Sequence, residues 1–240
     1  PLGIFIFHLL VLRVTPYLLA PDEAHYGEWA NHLDYSYYSK GPMIALYAKF
    51  GTWISEAIGI DPVMSLRVPS AISYTFLLAL FFRFASSIAN REIAVATTIG
   101  LALTPLIFQS GIGLTSDAPL LLFWLVTIAC GKYLISSPSY PRAMLFGLAC
   151  GVGFLAKMTA GFAPLAMAFF YLSNRQFRSS LSLGKIIASV LGFIIAISPI
   201  LFWNYRNSWV NFLHNGTHLR KQSEPLTINL LSFFELLGGQ

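Results

Sequence analysis

Charge is what this sequence has least of. Only 10% of its 240 residues are Asp, Glu, Lys or Arg, 56% are hydrophobic, and the mean hydropathy is +0.66. A soluble domain carries about a quarter charged residues, so this chain cannot clothe a globular surface in water. It reads as an integral membrane protein. Cysteine is scarce too: Cys130 and Cys150 both sit in apolar helical runs, where they read as small core residues rather than a disulfide or metal pair. No Walker loop, GxSxG, HExxH or GxGxxG occurs, and there is no internal repeat or low-complexity linker. The net charge of +5, with a pI of about 9.3, would point to nucleic acid in a soluble protein. Here the excess of Lys and Arg in cytoplasmic loops accounts for it, and no nucleic-acid partner is expected.

Long hydrophobic runs are what the sequence has in abundance. A hydrocarbon core about 30 Å thick needs roughly 20 apolar residues per helix. Seven such segments fit, at 2–19, 66–89, 93–109, 119–135, 143–155, 159–172 and 186–203. The fifth and sixth are short and separated only by Lys157 and its neighbours, which fits either a helical hairpin or two tilted helices. The chain opens at Pro1 inside an apolar run and ends at Gln240 after a new apolar stretch, 226–239, has begun. It therefore reads as the N-terminal part of one transmembrane module belonging to a longer protein.

Charges between the segments alternate. One set of loops holds Arg83 and Arg91, then Lys132 and Arg142, then Arg175, Arg178 and Lys185. The other holds the acidic 22–61 region, Asp117, Lys157, and then Arg206, His214, His218, Arg220 and Lys221. By the positive-inside rule the first set is cytoplasmic, so the polar residues of the second gather on the outer face. The first outer loop, 20–65, contains the densest polar stretch of the chain, PDEAHYGEWANHLDYSYYSKGP at 21–42. Within it Tyr26, Trp29, Ala30 and Leu33 fall at i, i+3, i+4 and i+7, one apolar helical face, while His25, Glu28 and His32 fall on another. An interfacial amphipathic helix fits. Gly41-Pro42 breaks it, and 43–58 reads as a second interfacial helix with Lys49 and Glu56 polar.

Each candidate functional residue has a plain structural reading beside it. Asp22 and Glu23 suit the first turn of a helix beginning at Pro21; alternatively one is a carboxylate base where membrane meets water. In Thr115-Ser116-Asp117-Ala118-Pro119, Ser or Asp caps the next helix, or Asp117 joins Asp22 in a shared acidic cavity. Lys40 and Lys157 either snorkel or mark a site, since an ionisable group at membrane depth is a functional hypothesis by default. Two lysines beside carboxylates suit a phosphate-bearing lipid. His25 and His32 around Glu28, and His214 with His218 at i and i+4, are candidate metal ligands, although Asn215-Gly216 between the latter pair suggests a turn.

The ordered set of motifs resembles a known group. Asp-Glu-Ala-His-Tyr at 22–26, a Trp, Tyr-Tyr-Ser-Lys-Gly-Pro at 37–42, Arg67-Val68-Pro69-Ser70, Thr115–Pro119, Leu155-Ala156-Lys157 and Trp203-Asn204 followed by Trp209 are similar to the polytopic glycosyltransferases of the C (GT-C) superfold. The nearest branch is the dolichyl-phosphate-mannose–protein mannosyltransferases and bacterial lipid A aminoarabinose transferases. The resemblance implies an all-α polytopic helical bundle in the bacterial inner membrane. It also implies an inverting transferase that takes its sugar from a polyprenyl-phosphate donor on the periplasmic face and passes it to a lipid, glycan or protein acceptor. It implies Asp22 as general base, with Asp117 beside it, and Lys40 and Lys157 at the lipid phosphate. Arg206 and Arg220 are further candidates for offsetting the leaving group's charge. The aminoarabinose transferases carry an acidic residue just before the first of these lysines that helps bind a divalent metal. Here Ser39 stands there, and His214 or His218 is the candidate for the second metal position.

The reading from another class is a non-catalytic polyprenyl-lipid carrier or transporter. Such proteins also place charges at membrane depth, but they often show internal repeats and helices broken at corresponding positions. A purely structural subunit would not need Lys157 or the gathered carboxylates.

Overall fold

A computed structural model describes residues 2–14 and 18–222, with the side chains of 218–222 excluded. The 226–239 stretch thus lies outside the described residues. Those described are helical, with no strand among them. The helices are α1 (Leu2–Val14), α2 (Pro21–Asn31), α3 (Met43–Ile58), α4 (Pro62–Ser86), α5 (Arg91–Leu103), α6 (Pro105–Ser110), α7 (Asp117–Ser136), α8 (Tyr140–Ala156), α9 (Phe162–Ser173), α10 (Arg175–Ser180), α11 (Leu183–Arg206) and α12 (Val210–Gln222). A 3₁₀ turn, Met158–Gly161, links α8 to α9.

Local chemistry sets the ends. Asp61 caps α4 by accepting from Met64 N at 2.8 Å, and Pro62 occupies the first turn, where its missing N–H costs nothing. Asn90 and Asn174 cap α5 and α10 in the same way, each at 2.9 Å. Gly59, at φ 69°, closes α3 in the left-handed conformation that glycine adopts without penalty. Among the described residues three helices, α4, α7 and α11, are long and apolar enough to cross a membrane; α1, α8 and 158–173 are shorter apolar helices. At 1.5 Å per residue, the 25 residues of α4 span about 37 Å. The expected 93–109 segment is not one helix. It breaks at Thr104, whose extended backbone (φ −66°, ψ 120°) precedes Pro105, because proline disfavours the helical conformation of the residue before it.

Two close-packed faces organise the bundle. α4 lies between α3, α5 and α7, and a Cβ on Gly51 of α3 would stand 2.6 Å from the Ser65 carbonyl oxygen of α4. α8 and α11 run side by side in the same direction. A Cβ on Gly147 would meet Ser189 O, one on Gly151 would meet Ala196 Cβ, and one on Gly192 would meet Met144 O. With no hydrophobic drive between helices in lipid, such small-residue faces supply the dispersion contact that holds them.

The bundle has two distinct ends. At one, Lys132 Nζ of α7 reaches Ser87 in the α4–α5 turn, 2.5 Å from its hydroxyl and 3.2 Å from its carbonyl. At the other lie α2, α3 and the 32–42 loop. α2 buries Tyr26 and Ala30, but it ends at Asn31, so Leu33 falls beyond the helix and is exposed rather than on its apolar face.

Candidate active site

At the α2 end a cavity of about 810 Å³ opens between the start of α2, the 32–42 loop, α4, α6 and the 111–117 segment. Asp22, Glu23, Tyr26, Lys40, Arg67, Gln109, Thr115, Ser116, Asp117 and Lys157 all line it. Four residues singled out from sequence, Asp22, Lys40, Asp117 and Lys157, therefore share one space.

The two adjacent acids of α2 part company. Glu23 turns inward and is almost fully buried. Its Oε1 accepts from Arg67 Nε and from Leu114 N, both at 2.8 Å. Its Oε2 accepts from Arg67 Nη2 at 2.6 Å and from Ala20 N at 3.0 Å. The Ala20 bond is half of a capping box; alanine has no side-chain acceptor for the other half. Burial pushes the Glu23 carboxyl up, but the bonds from Arg67 and from the two backbone N–H groups outweigh it, leaving it below its ordinary value. Every strong acceptor direction of this carboxylate is taken, and its charge is neutralised by Arg67.

Asp22, one residue earlier, faces outward to the cavity. Its only hydrogen bond among the described residues is a long one, from Tyr26 Oη at 3.5 Å. Burial pushes the Tyr26 phenol up to about 12, with the charge and hydrogen bond of Asp22, then the charge of Asp117, adding in the same direction. Tyr26 thus stays a protonated donor beside two acids.

Asp117 opens α7, and Ser116 before it makes no side-chain cap. The Asp117 carboxylate instead accepts from Lys157 Nζ at 2.7 Å, with both side chains about one-third exposed. Lys157 sits where α8 stops: its backbone is extended (φ −158°, ψ 135°) and the 3₁₀ turn follows. Irregular backbone of this kind is tolerated at membrane depth where it is enclosed by protein or lines a cavity. Lys40 is half-buried, and its ammonium forms no ion pair or hydrogen bond among the described residues. Thr115 Oγ1 likewise has no hydrogen-bond partner among them.

The remaining candidates lie elsewhere. Arg206 does not line the cavity; its guanidinium stands over the Phe202 ring, 5.7 Å from the centroid. The side chains of Arg220 and His218 lie outside the described residues. His214 packs on the Tyr38 ring at 4.2 Å. His32 pairs with Glu28 at 3.5 Å on the surface, and His25 stacks on Trp29 at 4.5 Å. No group of three or more His, Cys, Asp or Glu side chains able to hold a metal ion assembles among the described residues. With Ser39 at the position where the resemblance calls for an acid, these residues do not fit a divalent ion, and no chemical step is assigned to one.

Sequence reasoning gave no role to Arg67 or Tyr26. Arg67 had a readable signal, a lone cation inside an apolar helix at the end opposite the cationic loops, which demands a partner. Tyr26 had none, because its spacing marked only a buried face.

Fold and site together define an integral membrane protein, an apolar helical bundle with a charged cavity at one end. The sequence model for the dolichyl-phosphate-mannose-protein mannosyltransferases matches residues 39–203, and the chain belongs to that family. The matched range contains Lys40, Arg67, Asp117 and Lys157 and begins after Asp22. The chain is 26% identical over 244 residues to the lipid A galacturonosyltransferase RgtD of Rhizobium johnstonii, an alignment covering 100% of this chain and 49% of that protein. It is 32% identical over 191 residues to the undecaprenyl phosphate-alpha-4-amino-4-deoxy-L-arabinose arabinosyl transferase of Aeromonas salmonicida, covering 70% of this chain and 32% of that protein. The chain therefore spans about half the length of the first relative and about a third of the second. No solved structure matches it.

Proposed function

We propose that this protein is a glycosyltransferase that moves a sugar from a polyprenyl-phosphate carrier to a lipid acceptor at the periplasmic face of the bacterial inner membrane. The observation that carries this reading is the division of charge in the cavity. Glu23 and Arg67 neutralise each other, Asp117 and Lys157 form a pair about one-third exposed, and Asp22 and Lys40 are left available. That leaves one carboxylate to take a proton and one ammonium to meet an anion. The relatives' names support the two ends of the reaction, an undecaprenyl-phosphate sugar in one and lipid A in the other. The cationic residues Arg83, Arg91, Lys132, Arg142, Arg175, Arg178 and Lys185 belong to helix ends and short helices opposite the cavity, which supports an outward-facing site.

In this mechanism the acceptor hydroxyl loses its proton to Asp22 as its oxygen attacks the anomeric carbon of the sugar. The new C–O bond forms on the face opposite the departing phosphate oxygen, so the anomeric centre inverts. The C1–O–P linkage breaks at carbon, its electron pair leaves with the oxygen, and the product is polyprenyl phosphate. Lys40 offsets the charge that develops there. Lys157 can join it by exchanging Asp117 for phosphate, which frees Asp117 toward the acceptor. General-base catalysis contributes typically about 10²–10⁴-fold, and a preorganised cation at the leaving oxygen contributes comparably in a water-poor site. Thr115 and Gln109 offer neutral hydrogen-bonding groups for sugar hydroxyls.

The test is turnover of radiolabelled undecaprenyl-phosphate sugars by the protein in membranes, wild type against Asp22→Asn. The expected result is release of undecaprenyl phosphate by wild type, and a loss of about 10²-fold or more in the mutant. Mutant activity near wild type would remove Asp22 from the base role. Uncleaved labelled lipid crossing the bilayer equally in both proteins would replace the transferase with a carrier.

A further inference from the structure

Lys40 lies on a loop, and a flexible four-carbon side chain on a mobile loop would make a poor phosphate anchor. The structure shows what fixes it. Tyr37 N donates to the Lys40 carbonyl at 3.1 Å, closing a tight turn. Asn211, completely buried in the first turn of α12, donates from Nδ2 to Tyr37 O at 2.7 Å, with Tyr38 O and Lys40 O each at 3.4 Å. On the other side Gly41 is pressed against the end of α8 so closely that a Cβ there would collide with the Leu155 carbonyl, two residues before Lys157. The Lys40 turn is thus wedged between α8 and α12.

The placement of α12 is itself tightly specified. Between α11 and α12, Ser208 and Trp209 both adopt left-handed backbone conformations, φ 54° and 60°, and Trp209 N bonds Asn204 O at 2.9 Å. Left-handed backbone is costly for residues other than glycine and persists only where the surroundings over-determine it. A second tie runs from Trp203 Nε1 of α11 to Asp34 Oδ2 at 2.7 Å, at the start of the same loop.

We infer that Asn211 is a positioning residue for phosphate recognition: through the carbonyls of Tyr37, Tyr38 and Lys40 it sets where the Lys40 ammonium meets the lipid phosphate. This rests on the reading of Lys40 as the phosphate-binding cation. Aspartate would turn an acceptor onto three carbonyls, and alanine would leave the turn untied.

The experiment measures binding of two probes, undecaprenyl phosphate and undecaprenol, to the protein in lipid nanodiscs. They differ only in the phosphate. Lys40→Gln should weaken undecaprenyl phosphate and leave undecaprenol unchanged. Asn211→Ala should weaken undecaprenyl phosphate about tenfold and undecaprenol less than about twofold, since displacements near 1 Å at a recognition group carry penalties of that size or larger. In a Lys40→Gln background, Asn211→Ala should cost nothing further for the phosphate, because residues acting through one contact are non-additive. If Lys40→Gln leaves undecaprenyl phosphate binding intact, the reading of the site itself falls. If Lys40→Gln weakens it but Asn211→Ala does not, the positioning role alone falls. The same holds if Asn211→Ala weakens both lipids equally, or acts additively with Lys40→Gln. Should the alanine variant not accumulate as folded protein, Asn211→Leu, which keeps the branched shape and removes the donor, is judged by the same comparison.

Discussion

Replacing Glu23 by glutamine exposes what holds this end of the bundle together. The Glu23 carboxylate receives four N–H donors, two from Arg67 and one each from Leu114 and Ala20, at 2.6–3.0 Å. Glutamine keeps the volume but offers one oxygen, and its NH2 group turns donor against donor. Arg67, whose side chain is 6% exposed, loses the carboxylate that neutralises it and keeps the Leu18 carbonyl at 3.2 Å. Breaking one partner of a buried ion pair costs about 3–5 kcal/mol, well above the 1 kcal/mol or so of a single neutral hydrogen bond. For a chain of this size each kcal/mol moves the melting temperature by about 2–4 °C, so a drop on the order of 10 °C is expected. The assay is thermal unfolding in detergent, read by reaction of the buried Cys150 thiol with a fluorogenic maleimide. Adding Arg67→Met should recover much of the loss, because the double mutant carries no orphaned charge.

The pH dependence has a definite sign. The folded Glu23 carboxyl titrates below its ordinary value of 4.5. Its contribution to stability is therefore complete above pH 4.5 and is lost as pH falls through the lower folded value. Wild type should lose stability through that acid window relative to Glu23→Gln. A Glu23→Gln melting temperature within about 2 °C of wild type, or a double mutant no better than the single, would refute the argument.

Two further outcomes follow from the packing and the cavity. Gly147→Ala places a methyl against the Ser189 carbonyl of α11 and should cost about 1–3 kcal/mol in thermal unfolding. Gly100→Ala, where nothing lies within 4 Å, should be neutral or stabilising by up to about 1 kcal/mol; equal effects at the two sites would remove the close-packing account. Spectrophotometric titration should find one phenol ionising at about 12 that Tyr26→Phe removes. Because the folded value lies above the ordinary 10, the stability it contributes is present below pH 10 and lost as pH rises towards 12. If the substitution instead removes a phenol that ionises near the ordinary 10, Tyr26 is placed in water rather than beside Asp22.

Much of the molecule was legible along the chain because its information is local. Hydropathy over windows of about 20 residues locates apolar helices, and caps and prolines such as Asp61-Pro62 locate their ends. Even the break at Thr104 was written in Pro105, although a run of apolar residues on both sides hid it. The alternation of loop charges predicted that the 22–61 region, Asp117 and Lys157 share one face, since consecutive spans reverse direction. That topological rule is enough to bring Asp22, Lys40, Asp117 and Lys157 to one end without knowing any contact.

Which of these groups are spent on each other was decided only by the tertiary structure. Asp22 and Glu23 are neighbours of the same chemistry. One faces a cavity and the other a buried guanidinium 44 positions away, because a helix turns successive side chains about 100° apart. Asp117 and Lys157 are bonded across 40 residues, and Asn211 reaches back 171 to the Lys40 carbonyl. Pairings at such separations depend on helix register to within an ångström or so, and hydropathy, which averages over whole turns, carries no such resolution. The sequence therefore determined where charge collects, and packing determined which charges are left free to act.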